Sequence, residues 1–354
     1  MAILVTGGAG YIGSHMVWRL IDAGERVVVI DRLSTGHAWA VAPAARLVVG
    51  DIADTMMVRR VLREEKVDAI LHFAGSVVVP DSIANPLGYY DNNTCATRAL
   101  IEVAIAAGVR NFVFSSTAAV YGEGDGTPVR EDGRLDPATP YGRSKLMSEM
   151  MLADAAAAHD FRYAALRYFN VSGADPAGRT GQSTPGATHL LKVACETAVG
   201  RHPVMRVFGD DYPTRDGTCI RDLIHVTDLV EAHWLALRHL RAGGDSLVAN
   251  LGYGNGFTVR EVIDCVREVS GREFDVRMEP RRPGDLHTVI AEAGRARRVL
   301  GWKPAHESLR EIVSSALDWE RTLTRRRKVA DGPGIEPPEL DEWVGTRLHV
   351  APSG

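Results

Sequence analysis

Short apolar runs alternate with longer amphipathic stretches over the first half of the chain. Ala2-Ile-Leu-Val-Thr6, Arg26-Val-Val-Val-Ile-Asp31, Arg46-Leu-Val-Val-Gly50, Val67-Asp-Ala-Ile-Leu-His-Phe73, Asn111-Phe-Val-Phe-Ser115 and Arg162-Tyr-Ala-Ala-Leu-Arg167 read as strands. Ser14 to Ile21, Met56 to Glu65, Leu87 to Ala107 and Tyr141 to Ala158 read as helices, with Gly108 placed to cap the third. Continuously apolar strands separated by helices predict a parallel sheet covered on both faces. Ligands of such sheets gather at the carboxyl ends of the strands, which puts Asp31, Asp51, Ser115, Ser116 and Thr117 within reach of one.

From Asn170 the rhythm loosens. Glycine, proline and threonine crowd Ser172 to Thr188, and a helix, a strand at Met205-Arg-Val-Phe208 and a long loop through Gly217 follow. A loop of that length in a compact domain is usually functional or disordered. The expected organisation is a first domain over 1–169, a smaller α/β substrate domain over 170–323 whose segments partly return to the first, and a flexible tail over 324–354. That tail carries Arg325-Arg-Arg-Lys328 and Gly332-Pro-Gly-Ile-Glu-Pro-Pro338 without apolar periodicity.

The first strand runs directly into Gly7-Gly-Ala-Gly-Tyr-Ile-Gly13. Gly8, Gly10 and Gly13 have the G-x-G-x-x-G spacing that lets backbone N–H groups approach a pyrophosphate at a helix N-terminus. Asp31 ends the next strand 18 positions beyond Gly13, where a carboxylate accepts from the adenosine ribose and repels a 2′-phosphate. The fold expected is therefore a Rossmann-type doubly wound parallel sheet, and the cofactor expected is NAD. Arg32 leaves pairing with a 2′-phosphate open.

A length of 354 residues accommodates two domains, and a net charge of −4 with no basic stripe argues against nucleic acid as a partner. No apolar run approaches the ~20 residues that span a bilayer, so no membrane partner is expected. Met1 leads straight into the first strand, from which no leader and a cytoplasmic location are expected. Cys95, Cys195, Cys219 and Cys265 are widely separated and read as reduced structural thiols, with no metal site.

Tyr141-Gly-Arg-Ser-Lys145 sets a phenol and an ammonium four residues apart on one helix face. A neighbouring ammonium favours the phenolate, so Tyr141 is expected to titrate lower than usual and to serve as a general base.

Gly7 to Gly13, Asp31, Ser115-Ser-Thr117 and Tyr141 to Lys145 together resemble the extended short-chain dehydrogenase/reductase family. Tyr89-Tyr-Asp-Asn-Asn93, Phe114 to Gly122, Pro140 to Met147, Leu166-Arg-Tyr-Phe-Asn170, Phe208 to Thr214 and Asp216 to Val226 resemble its UDP-glucose 4-epimerase branch, over about residues 1–323. The resemblance implies that Tyr141 takes the proton of the hexose 4-hydroxyl while the carbon-4 hydride passes to tightly held NAD. Thr117 would share that oxygen, Lys145 would hold the nicotinamide ribose, and the 4-keto sugar would turn over and be reduced on its other face. Cofactor contacts are implied for Gly7, Gly8, Gly10, Tyr11, Ile12, Gly13, Asp31, Asp51, Ile52, Phe73, Ala74, Asn92, Ser115, Tyr141, Lys145 and Tyr168. Those to a UDP-hexose are implied for Thr117, Tyr141, Asn170, Leu190, Phe208, Arg221, Arg282 and Asp285, the two arginines as diphosphate clamps. A homodimer through the helices at Leu87 to Ala107 and Tyr141 to Ala158 is also implied.

The chain departs from the family at four places. Ser76-Val77 stands where a lysine often reaches the cofactor pyrophosphate, Leu223 where an aromatic is usual, and His189 where Asn is common. Val289 replaces a bulky residue that restricts some members to unmodified hexoses, which extends the expectation to N-acetylated sugars. Ala118-Ala119 lacks the Asp-Glu pair of the dehydratases. The rival readings are a 4-epimerase of another UDP-sugar (UDP-N-acetylglucosamine, UDP-glucuronate or a UDP-pentose) and, more distantly, a non-catalytic NAD-sensing protein.

Overall fold

The structure, a computed structural model, describes residues 1–122, 127–282 and 287–330, with side chains as far as Arg325. β1 (Ala2–Thr6) passes through the glycine turn into α1 (Tyr11–Asp22), and β2 (Val27–Asp31), β3 (Arg46–Val49), α2 (Thr55–Glu64) and β4 (Val67–His72) follow. Short helices α3 (Val79–Ala84) and α4 (Pro86–Tyr89) lead through a π-helical turn at Tyr90–Cys95 into α5 (Ala96–Ala106). β5 (Asn111–Ser115), α6 (Pro140–Ala158) and β6 (Arg162–Tyr168) come next. Then follow β7 (Asn170–Ser172), α7 (Leu190–Ala198), β8 (Val204–Phe208), β9 (Ile220–His225), α8 (Val226–Arg241) and β10 (Leu247–Leu251). The last elements are β11 (Gly256–Thr258), α9 (Val259–Ser270), β12 (Asp275–Glu279), β13 (Thr288–Val289), α10 (Gly294–Leu300) and α11 (Leu309–Ala330).

Seven parallel strands in the order β10-β6-β5-β4-β1-β2-β3 form the main sheet. Alternate side chains bury into two cores. Ile3, Val5, Val29 and Leu71 meet Met16 and Val17 of α1 and Leu229 and Ala236 of α8, whereas Leu4, Val28, Ile30 and Ile70 meet Val58, Leu100 and Leu152 of α2, α5 and α6. Burial on both faces explains why these strands are apolar without alternation. This is the doubly wound Rossmann-type arrangement expected, and the strand order reverses at β1, where the glycine turn leaves the sheet.

Three segments differ from expectation. The helix expected over Leu87 to Ala107 is divided into α4, the π-helical turn and α5, because the wider turn carries Asn92 and Asn93 towards the loop after β4. The strand β10 and the helix α8 of the second half join the main sheet, so the return of later segments is extensive. The tail expected from 324 begins as the last turns of α11, and beyond 330 it falls outside the described residues. Two smaller sheets complete the second half. β9 pairs with β7, β11 and β13, and β8 pairs with β12.

Candidate active site

The turn after β1 is built for a close approach. Gly7 has φ +69°, and a Cβ there would sit 2.6 Å from the Ala74 backbone nitrogen. A Cβ at Gly13 would overlap the Gly7 carbonyl oxygen, so only glycine lets α1 begin this near β1. Gly10 is the N-cap, no side chain caps the helix, and its first turn has no acidic residue. The leading N–H groups at Tyr11, Ile12 and Gly13 therefore face an uncrowded, electropositive end that suits a phosphate. These features fit a dinucleotide. The Asp31 carboxylate accepts from Ala9 N (3.0 Å) and Leu33 N (2.8 Å), fixing the turn while keeping lone pairs for a ribose. Sequence reasoning missed the segment 33–37, in which Leu33 has φ +58° and His37 N donates to Ala9 O at 2.9 Å. The glycine at 36, packed on Ala9, was the available signal. Arg32 turns to Asp51 (3.3 Å), and Asp51 also accepts from Ala53 N. A cleft of about 430 Å³ lies alongside, lined by Arg32, Asp51, Ala53, Ser76, Tyr89 and Asn92, with Ile52 buried beneath.

The next strand end holds Phe73 and Ala74, whose N–H groups bond the Thr6 carbonyl (3.0 Å) and hydroxyl (3.4 Å). Ser76, at the position lacking the family's lysine, is clasped instead. Its N–H donates to Asn93 Oδ1 (2.7 Å), its carbonyl accepts from Asn93 Nδ2 (2.9 Å), and Asn92 donates to its hydroxyl (2.8 Å). Asn93 was another functional neighbour that its position in the Tyr-Tyr-Asp-Asn-Asn run could have revealed.

The β5 end and the α6 start bring the reacting groups together. Thr139 caps α6, Pro140 occupies its first turn, and Gly142 lets the helix lie against the Ala119 carbonyl. Tyr141 and Lys145 thus enter one buried space beside Thr117. Thr117 Oγ1 accepts from Ala119 N at 3.1 Å, which leaves the hydroxyl proton and a lone pair for other partners. Burial raises the Tyr141 phenol above its ordinary value and Thr117 draws it back. The depression expected from Lys145 is not found: Lys145 does not contribute to the shift, and burial sets its direction. Lys145 Nζ donates to Ser115 O (3.0 Å) and lies 4.8 Å from the Phe114 ring centre; burial lowers its pKa to about 8. Ser115 Oγ and Tyr168 OH are 2.5 Å apart, and burial pushes the Tyr168 phenol up.

The second half supplies the facing wall. Asn170 is in register with Leu223 on β9, and Arg221 with Val289 on β13. Arg282 lies over the Phe208 ring at 4.5 Å, which unites two of the expected nucleotide contacts. Leu190 opens α7, and His189, its N-cap, meets Gln182 at 2.9 Å. Leu223 is buried in the core, where an aliphatic packs as an aromatic would. Asp285 lies outside the described residues. Asp222, next to Arg221 and overlooked in the sequence, accepts from Tyr253 N, Gly254 N and Ala291 N, each at 3.0 Å, and so joins β9 to the segments after β10 and β13. Among the described residues no cluster could hold a metal ion.

Residues 3–252 match the NAD dependent epimerase/dehydratase family. The chain belongs to that family. Within this epimerase/dehydratase group, it is 55% identical over 332 residues to the UDP-glucose 4-epimerase of Azospirillum brasilense, covering 94% of this chain and 95% of that one. A Stenotrophomonas maltophila UDP-glucose-4-epimerase, solved with NAD and formylated UDP-arabinopyranose, is similar at 41% identity and TM-score 0.89, over 92% of this chain and 99% of that one. The UDP-Glc/GlcNAc 4-epimerase of Campylobacter jejuni is similar at 46% identity and TM-score 0.80, over 91% and 99%.

Proposed function

We propose that this chain is a UDP-glucose 4-epimerase that interconverts UDP-galactose and UDP-glucose with tightly bound NAD. The observation that carries this reading is the buried cluster of Thr117, Tyr141 and, one helical turn on, Lys145, whose ammonium bonds Ser115 O at the end of β5. Gly7, Gly8, Gly10 and Gly13 would hold the pyrophosphate, Asp31 the adenosine ribose, and Asp51, Ile52, Phe73, Ala74, Asn92, Ser115 and Tyr168 the remainder. NAD, when bound, supplies the hydride acceptor and donor for carbon 4. Tyr141 removes and returns the proton of the 4-hydroxyl, Thr117 steadies that oxygen, and Lys145 opposes the phenolate charge. Burial around the pair excludes water that would otherwise compete for the proton. Arg221 and Arg282 hold the diphosphate through planar donors, while Asn170, Leu190 and Phe208 frame the rest of the nucleotide-sugar.

Incubation of the purified protein with UDP-galactose is expected to give UDP-glucose with no accumulation of free NADH. Stoichiometric NADH with a sugar acid would instead identify a dehydrogenase. Acceptance of N-acetylated sugars is favoured by the modest size of Val289, which packs with Ala118 and Val120. UDP-N-acetylgalactosamine turnover within about tenfold of UDP-galactose turnover is the matching outcome.

The homodimer rests on exposed apolar side chains of the α3–α6 surface, Ile83, Leu87, Met147 and Met150. A cytoplasmic site is supported by four unpaired cysteines, which suit a reducing compartment. No described helix is long and apolar enough to cross a membrane.

A further inference from the structure

α6 carries three buried polar side chains in one row, four residues apart: Tyr141, Lys145 and Glu149. The first two belong to the reaction proposed above. Glu149 touches no reacting atom, yet it is 5% exposed and its carboxylate is fully engaged. Ser116 donates its hydroxyl to Glu149 Oε1. Arg167 on β6 faces the same carboxylate with Nε (3.0 and 3.1 Å) and Nη2 (2.5 Å). The guanidinium continues to Tyr121 OH (2.9 Å), whose own proton goes to Asn250 Oδ1 on β10 (2.6 Å).

We propose that Glu149 is a positioning residue of the active site, which fixes the Ser116–Thr117 strand end against α6 and supplies the counter-charge for the Lys145 ammonium. This rests on the epimerase reading. Ser116 immediately precedes Thr117, so a tether at Ser116 fixes the hydroxyl that meets Tyr141. Among the described residues, Lys145 Nζ meets Ser115 O and the Phe114 ring and is bonded to no carboxylate.

The groups around Lys145 leave Glu149 as the source of negative charge. From β4 comes His72, buried between Thr6 and Thr97 and kept neutral because burial and Lys145 lower its pKa to about 3. The π-helical turn offers Asn93, which is uncharged. β6 contributes Tyr168, a neutral phenol, and Arg167, which is paired with the Glu149 carboxylate at 2.5 Å. α6 contributes Tyr141 and Glu149, and the Glu149 charge raises the lysine pKa against the desolvation that lowers it. The Arg167 guanidinium and the Ser116 hydroxyl hold that carboxylate in place beside α6.

The sign of the effect follows. Without the Glu149 charge, Lys145 loses its proton at lower pH, and the basic limb of the kcat profile moves down with it. Two measurements on the purified, NAD-loaded protein test this. The first is the pH profile of UDP-galactose turnover for wild type, Glu149→Gln and Glu149→Asp. The second is the titration of Lys145 by carbon-13 NMR with labelled lysine, which is practicable because the chain has five lysines and Lys145→Arg assigns the signal.

For Glu149→Gln, both the basic limb and the NMR pKa are expected to fall by about one pH unit, with turnover recovering towards wild type at lower pH. Glu149→Asp keeps the charge but not the reach to Ser116, so it should lower kcat at every pH and leave the limb where it is. Uniform loss in Glu149→Gln with an unmoved limb and an unmoved lysine titration would reduce Glu149 to a structural residue and overturn the proposal. An equal shift of the limb in Glu149→Asp would overturn it as well. Should Glu149→Gln fail to fold, Glu149→Gln/Arg167→Gln removes the stranded guanidinium; a downward lysine shift smaller than about one pH unit is expected there, since a positive charge has left too, and an unmoved or raised lysine titration would overturn the proposal. If wild type lacks UDP-galactose turnover, the functional reading fails, while the NMR titration still decides the role of Glu149.

Discussion

Gly13 decides how near α1 can come to the strand before it. Its missing Cβ is occupied by the Gly7 carbonyl, so Gly13→Ala must push the helix start outward. Overpacking of this kind costs about 1–3 kcal/mol; the variant should purify with little NAD, as judged by cofactor released on denaturation. Retention of a full complement would argue against the cradle. Tyr141→Phe removes the acid/base group but keeps the ring, so kcat should fall by about 10²–10⁴-fold. Nucleotide-sugar affinity, measured calorimetrically, should stay within a few fold; a parallel loss of binding would count against the proton-transfer role. Burial also brings Lys145 to about pH 8, and turnover should decline above that pH as its ammonium is lost. These residues were legible in the sequence because their partners are local. Gly7 to Gly13 is one turn, and Tyr141 to Lys145 is one turn of helix. Glu149 and Arg167, or Asp222 and Ala291, meet only after folding, from positions 18 and 69 residues apart. No spacing rule announces such pairs.

Among the elements, the π-helical turn is the least foreseeable. Its residues Tyr90–Cys95 are weak helix formers set between better ones, and one widened turn leaves no trace in apolar periodicity. Its purpose is visible in Asn93, which donates to and accepts from the backbone of Ser76 and also donates to Ser144 on α6 at 3.1 Å. One side chain thereby fixes the loop after β4 against the catalytic helix. Asn93→Ala would strand buried backbone groups and should lower stability by about 1–3 kcal/mol in denaturant titration. A midpoint unchanged from wild type would mean that water replaces the amide without loss. The main strands, by contrast, were easy to read, since burial on both faces forces continuous apolar runs. β10 escaped notice because Leu-Val-Ala-Asn-Leu is interrupted by a polar Asn250 that the fold buries and pairs.

At the scale of the whole molecule, the surface of α3 to α6 sets apolar side chains in water. Met150 is 56% exposed and Leu87 76%. If two copies pair through this surface, Met150→Arg should shift sedimentation from dimer towards monomer at micromolar concentration, with the catalytic groups left in place. A monomeric wild type would dismiss the pairing. The order of the main sheet was only partly legible, because continuity of the chain suggests two successive domains, whereas β10 comes back to lie beside β6.

That return limits how such a protein can be recombined. A cut after residue 169 would leave β6 as an open strand edge, with its N–H and C=O groups unpaired along the side that β10 covers. The same cut would strip α8 from the sheet face it shares with α1. Residues 1–169 expressed alone should therefore aggregate rather than fold. A chimera seeking new sugar specificity would exchange the short segments around Arg221 and Val289 within an intact sheet, and would not graft one half onto another.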